Sequence, residues 1–246
     1  MARPRILLCP QFTEVEWTIA PQLAEWAEIA TFDAPGVGDE PIPGDDPMRF
    51  DREMVVQRAL QEVERLDWDS YFVVGDAWGT ATAARIANAR PAPVLGLALG
   101  HASLDYGTEG ERAAVNGEMV AAMTQLLRAD YDSFVRYGVT QFTQGAFDEQ
   151  TSGRIVARFP PMEVASKVWE TNVVRPEPIG ELLRQLDKPL LLVKHDGCLV
   201  FTAEGYEDAV AAFPTADKAS IPKAPSASDD FAAALRDFCE RVLDEG

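Results

Sequence analysis

The chain has 246 residues, a formal net charge of −18 and 47% hydrophobic residues. That length suits one α/β domain with room for an insertion, and that apolar share supports a full core, which excludes a disordered chain. The acidity argues against nucleic acid and anionic membrane surfaces as partners, and no apolar run approaches the length of a bilayer span.

Met1-Ala2-Arg3-Pro4-Arg5 leads straight into Ile6-Leu7-Leu8-Cys9, which is too short for a signal peptide and is patterned as a first strand over about 5–9. Ile19, Leu23 and Trp26 fall at i, i+4 and i+7, with Pro21 near the start, and predict a helix ahead of a second strand over 28–33. The run Pro41 to Pro47 reads as an irregular loop. Residues 51–67 then set Val56, Ala59, Leu60, Val63 and Leu66 on one helical face.

The stretch from Tyr71 to Val74 is aromatic and β-branched, and predicts a buried strand over 70–75. It runs into Gly75-Asp76-Ala77-Trp78-Gly79, a sharp turn that pushes residue 77 out over the sheet, and the small residues Thr80 to Ala84 begin a helix. Further strands are expected at 93–100, 188–194 and 216–221. The last helix follows a Ser228 N-cap and aligns Phe231, Leu235, Phe238, Cys239 and Val242, which places Cys239 in the core. Residues 107–186 break the rhythm. They carry no strand pattern but several helical stretches with large side chains, among them Met119, Met123, Phe134, Phe142, Phe159 and Trp169. The expected fold is therefore three-layer α/β, a mostly parallel sheet of about six strands with helices on both faces. Its core is 1–106 and 187–246, with 107–186 as a helical cap.

Three widely spaced cysteines, Cys9, Cys198 and Cys239, fit reduced thiols in a cytosol. The two histidines, His101 and His195, both sit at carboxyl ends of predicted strands, where open α/β sheets place their reactive groups. Each suits either a general acid/base or a partly buried imidazole bonded to backbone. Asp196 can orient a histidine or cap the Asp196-Gly197 turn, and Asp76 can cap the helix behind the sharp turn or do acid–base work. Cys198 lies within reach of His101 or His195 as a thiol–imidazole pair, while Leu199, Val200 and Phe201 beside it equally suit a packed, inert thiol. Trp78, Trp17 and the aromatics of 107–186 can line an apolar pocket or fill core. No His-x-x-x-His spacing points to a metal, and the reading assigns no metal and no cofactor.

Taken in order, these landmarks resemble the α/β-hydrolase fold family over nearly the whole chain. Ile6 to Phe12 looks like that family's first strand and oxyanion loop, and Asp33-Ala34-Pro35-Gly36-Val37-Gly38 like its D-x-P-G-x-G turn. The resemblance makes Gly75 to Gly79 the nucleophile elbow, Asp196 the triad acid, and the loop Pro222 to Ser228 the place for the catalytic histidine. Two departures stand out. The nucleophile position holds Ala77, and the loop 222–228 contains no histidine, so a serine-type mechanism lacks both its nucleophile and its base. The backbone N–H groups of Phe12 and Trp78, with the Gln11 side chain, remain as oxyanion donors.

The family implies a small, largely apolar organic substrate of ester, lactone or carbonyl type. Three readings follow: an enzyme using His101 or His195 as acid/base with Asp196 as orienter, a non-catalytic small-molecule binder, or an esterase or lactonase whose serine has been replaced by Ala77. The partner expected in each is a small molecule, and monomer and homodimer both remain open.

Overall fold

The structure is a computed structural model that describes residues 3–11, 13–42, 46, 49–101, 115–141, 147–174 and 178–245. Phe12, most of the 41–47 loop, residues 107–114 and Phe142 therefore lie outside the described residues.

Six strands form one parallel sheet: β1 Arg5–Cys9, β2 Glu28–Thr31, β3 Tyr71–Asp76, β4 Val94–Gly100, β5 Leu190–His195 and β6 Asp217–Ile221, in the order β2-β1-β3-β4-β5-β6. Their apolar runs alternate between two covered faces, which is why they read as continuous hydrophobic stretches. Leu7, Val73, Leu97, Leu99 and Leu192 face the core shared with helices α2 Arg52–Leu66, α3 Gly79–Ala89, α8 Gly180–Arg184 and α9 Ala203–Ala212. Ile6, Leu8, Phe72, Val74, Ala98 and Val193 face the opposite core, closed by α1 Ala20–Leu23 and α10 Asp229–Glu245.

The helix expected around Ile19, Leu23 and Trp26 is a single turn, Ala20–Leu23. Pro21 opens it, but β2 begins at Glu28, so the chain turns through 24–26 to reach the sheet and Trp26 ends half-buried outside the helix. The second strand stops at Thr31 rather than 33, because Leu8 is the last β1 residue to pair with it. In α10, Ser228 Oγ accepts the Phe231 N–H at 3.3 Å, and Phe231, Leu235, Phe238 and Cys239 are buried.

Between β4 and β5 the described residues form α4 Gly117–Ala129, α5 Tyr131–Gln141, α6 Glu149–Arg158 and α7 Met162–Trp169, before α8. Asn116 and Asp148 cap α4 and α6, each accepting a backbone N–H three residues on. Arg158 pairs with the buried Asp33, which also accepts from Thr13 Oγ1 at 2.8 Å and the Glu14 N–H at 2.9 Å. That carboxylate fastens α6 to the loop leaving β2. No helix among the described residues is long and apolar enough to cross a membrane.

Candidate functional site

Sheet order decides where reactive groups gather. From β1 the chain moves one way to β2, and from β3 it moves the other way, so a crevice opens at the carboxyl ends of β1 and β3. The turn after β3 is as tight as the sequence implied. A Cβ on Gly75 would lie 2.4 Å from the Gly79 carbonyl oxygen, and one on Gly79 would lie 2.3 Å from that of Cys9. Ala77 takes φ +46, a left-handed conformation costly for a side-chain residue. Its carbonyl accepts the Thr80 hydroxyl at 2.6 Å and the Thr80 N–H at 3.1 Å, and its N–H donates to the Gly100 carbonyl at 3.1 Å. Ala77 is 5% exposed, and Trp78 is the elbow residue that faces the cleft.

That cleft holds about 40 Å³ of free space and is lined by Gln11, Glu16, Trp78 and Ser226 from the sheet side and by Phe134, Phe159 and Trp169 from α5 to α7. Trp169 meets both Trp78 and Phe134 edge-on, with ring centroids 5.7 and 5.2 Å apart, and its Nε1–H donates to Thr124 Oγ1 at 2.8 Å. The polar rim is already engaged. Glu16, 6% exposed, accepts the Gln11 N–H at 3.1 Å on one carboxylate oxygen and the Thr13 N–H at 3.1 Å on the other. An internal carboxylate thus sits on an N–H of the oxyanion loop. Sequence reading missed Glu16, although Thr13-Glu14-Val15-Glu16 is the T-x-x-E signature of a capping box. Ser226 stands in the loop where a catalytic histidine was sought, and its carbonyl accepts Thr18 Oγ1 at 3.2 Å.

The histidines lie elsewhere on the rim. β3, β4 and β5 are adjacent and end in Asp76, Gly100 and His195, with His101 following directly after Gly100. The His101 N–H donates to the Val193 carbonyl at 3.0 Å, and the residue takes φ +55. His101 Nδ1 lies 2.8 Å from Asp76 Oδ1, its Nε2 lies 3.0 Å from His195 Nδ1, and all three residues are buried. Cys198 joins them. Its sulfur and a ring nitrogen of each histidine all lie within 4.8 Å of one another, a grouping of donor atoms that suits a soft cation as well as proton transfer. Phe201 stacks on the His101 ring, centroids 5.0 Å apart. His101, His195, Cys198 and Phe201 line a second cavity of about 370 Å³ with Asn116, Lys194, Thr202, Glu204 and Tyr206, and it shares no lining residue with the cleft at Trp78.

The carboxylate against His101 comes from Asp76, for which the sequence offers a helix cap or acid–base work. Asp196, expected to orient a histidine, is half-exposed and accepts Ser220 Oγ at 2.8 Å, with Lys194 Nζ 3.7 Å away. The reason is alternation: His195 ends β5 pointing inward, so the next residue points out. Strand-end position in three neighbouring strands was the signal that could have grouped Asp76 with the histidines.

The electrostatics of this cluster follow from its contacts. Burial pushes the Cys198 thiol up, but the His101 charge, hydrogen bonds from both histidines and the Phe201 N–H outweigh it and bring the thiol well below its ordinary value. Burial likewise pushes His101 down, but the Cys198 sulfur and the Asp76 carboxylate outweigh it and raise the imidazole. Cys9 and Cys239 have no such partners among the described residues, and burial drives both thiols up.

A family model described as alpha/beta hydrolase fold matches residues 4–137. No curated protein sequence matches the chain. Among solved structures, bromoperoxidase from Bacillus anthracis aligns at TM-score 0.80 and 16% identity, covering 98% of this chain and 92% of its own. A hydrolase from Oleispira antarctica aligns at 0.78 and 13% identity over 97% and 92% of the two chains. A thermophilic esterase from Thermogutta terrifontis aligns at 0.75 and 17% identity over 98% and 91%. Identities this low carry the fold, which agrees with the strand order and the elbow. With more than half of the chain matched, this protein belongs to the α/β-hydrolase fold family.

Proposed function

We propose that this protein binds a small, largely apolar organic molecule with one hydrogen-bonding group, of ester, lactone or carbonyl type, in the cleft between the sheet rim and a helical cap over 107–186. In this reading the cleft does no acyl transfer. The observation that carries it is a retained aromatic wall beside a dismantled catalytic rim. Trp78, Phe134 and Trp169 hold an apolar surface, while the elbow residue is a methyl, Ser226 stands in the histidine loop, and Glu16 engages the Gln11 N–H. An oxyanion forming there would meet a carboxylate, which opposes the charge stabilisation that acyl transfer needs. The likeness to proteins named as a hydrolase and an esterase supports a small organic ligand. Three cysteines free of disulfides support a cytosolic setting.

Reading the cleft as an acid/base enzyme would require His101 or His195 to reach the ligand, and both line the other cavity. The test is titration of aryl esters, lactones and their ketone analogues against tryptophan fluorescence, with hydrolysis followed in parallel. Saturable quenching that Trp78→Ala abolishes, without turnover at this cleft, is the expected result. Ala77→Ser gains no ester hydrolysis, because no base stands beside the new hydroxyl. Ester turnover that survives Cys198→Ser but is lost in Trp78→Ala would overturn the proposal.

A further inference from the structure

The second cavity holds reactive groups that ligand binding at Trp78 does not use. An ionised carboxylate only accepts hydrogen bonds, so the Asp76 contact fixes a proton on His101 Nδ1 and turns Nε2 toward His195 and Cys198. The order is thiol, imidazole, carboxylate, the sequence of parts that activates a nucleophile. Its pieces come from rigid elements, three strand ends and the loop before α9. The Phe201 N–H points at the sulfur, and Phe201 packs on the imidazole. Cys198 lines the cavity together with His101 and His195, while Asp76 is sealed beneath, its Oδ2 buried without a partner among the described residues.

We propose that Cys198 is a nucleophile activated by His101, with Asp76 as a positioning residue, and that it takes an acyl group from a small ester or thioester entering the cavity beside α9. Proton transfer from Sγ to His101 Nε2 gives thiolate and imidazolium with no change in total protons. The thiolate attacks the acyl carbon, the carbon–oxygen or carbon–sulfur bond to the leaving group breaks, and the imidazolium proton goes to that group. Water then adds to the thioester carbonyl, its proton returning to His101, and the carbon–sulfur bond breaks to release acid and free thiol. The raised imidazole and lowered thiol are consistent with the first step. A cation held by the same atoms is the competing occupant.

The groups facing the sulfur are His101 just after β4, Asp76 from β3 behind it and His195 from β5, with Lys194, Asp196, Glu204 and Tyr206 on the cavity wall. The experiment alkylates the whole protein with iodoacetamide across the pH range and quantifies each cysteine peptide by mass spectrometry. Cys9 and Cys239, both buried, are internal controls. Cys198 should react roughly tenfold faster than glutathione at about pH 6, since its thiolate is fully populated but less nucleophilic than one of ordinary pKa. Its rate should stay flat up to about pH 8. His101→Gln should restore the tenfold rise per pH unit of an ordinary thiol, and Asp76→Asn should move the midpoint upward.

Brief exposure to p-nitrophenyl acetate should leave one acetyl group per chain on Cys198 and none in Cys198→Ser. Ligand quenching at Trp78 should be unchanged in that variant, which separates this proposal from the binding function. Should the histidine or aspartate variant fail to fold, the wild-type pH profile and the acetyl site decide alone. The proposal fails if wild-type Cys198 shows the steep pH dependence of a free thiol, if acetylation persists in Cys198→Ser, or if Cys198 reacts only after a chelator strips a stoichiometric metal.

Discussion

Gly79→Ala tests the elbow directly, because the obstruction to a side chain there is main chain on both sides. The added Cβ would stand 2.3 Å from the Cys9 carbonyl oxygen and 3.2 Å from that of Pro10. Relieving the closer contact needs roughly 1 Å of movement to reach ordinary van der Waals separation. Cys9 is itself held in register with Gly75, and Leu8 with Val74, so β1 cannot retreat without loosening its ladder to β3. Overpacking costs about 1–3 kcal/mol in cores that adapt through side chains, and a backbone clash belongs at the upper end. Alanine's better helix propensity offsets at most about 1 kcal/mol of that, leaving a net loss of about 2–3 kcal/mol. Urea unfolding followed by tryptophan fluorescence measures it, with Gly153→Ala as reference. Gly153 is exposed within α6 and a Cβ there meets nothing within 4 Å, so that change should stabilise by about 0.5–1 kcal/mol. The reasoning is refuted if Gly79→Ala unfolds within about 0.5 kcal/mol of the parent, the range of an inconsequential surface change.

Three further outcomes follow from the same contacts. Asp33→Ala should cost about 2–3 kcal/mol, discounted for the partial exposure of Arg158, and should speed protease cutting in α6; unchanged cutting would mean that this carboxylate does not tether the helix. Thr80→Val should cost about 1 kcal/mol in urea, because the Ala77 carbonyl loses the Thr80 hydroxyl; a neutral result would discount the 2.6 Å hydroxyl bond. For pH dependence, the Arg65 hydrogen bonds, opposed by burial and reinforced by Arg58, hold Glu62 below its ordinary value of 4.5. The unfolded chain therefore takes up that proton first, so this contribution is full above pH 4.5 and is lost as pH falls through the lower folded value. Glu62→Gln should flatten the acid limb of a urea-midpoint profile, and an unaltered slope would dismiss the pair.

Much of the fold was legible because it is written locally. The runs Ile6 to Cys9, Tyr71 to Val74 and Val94 to Leu99 could bury themselves only as interior strands. Gly75 and Gly79 flag a crossing that admits no Cβ, and Ser228 marks the start of α10. The single-turn helix at Ala20–Leu23 escaped that logic because its length is limited by the distance to β2, not by the spacing of Ile19, Leu23 and Trp26.

From the residues alone came the scaffold and its missing parts: an elbow carrying Ala77, a loop at 222–228 without histidine, and two histidines on the strand-end rim. Tertiary structure alone decided which groups meet. Asp76 touches His101 across 25 residues and His195 touches it across 94, and Asp196 turns away toward Ser220. The division has one physical source. Strand and turn preferences depend on neighbours a few positions apart, whereas a proton or a ligand responds to distances in space, and these exist only once sheet order and side-chain alternation have brought remote strand ends together.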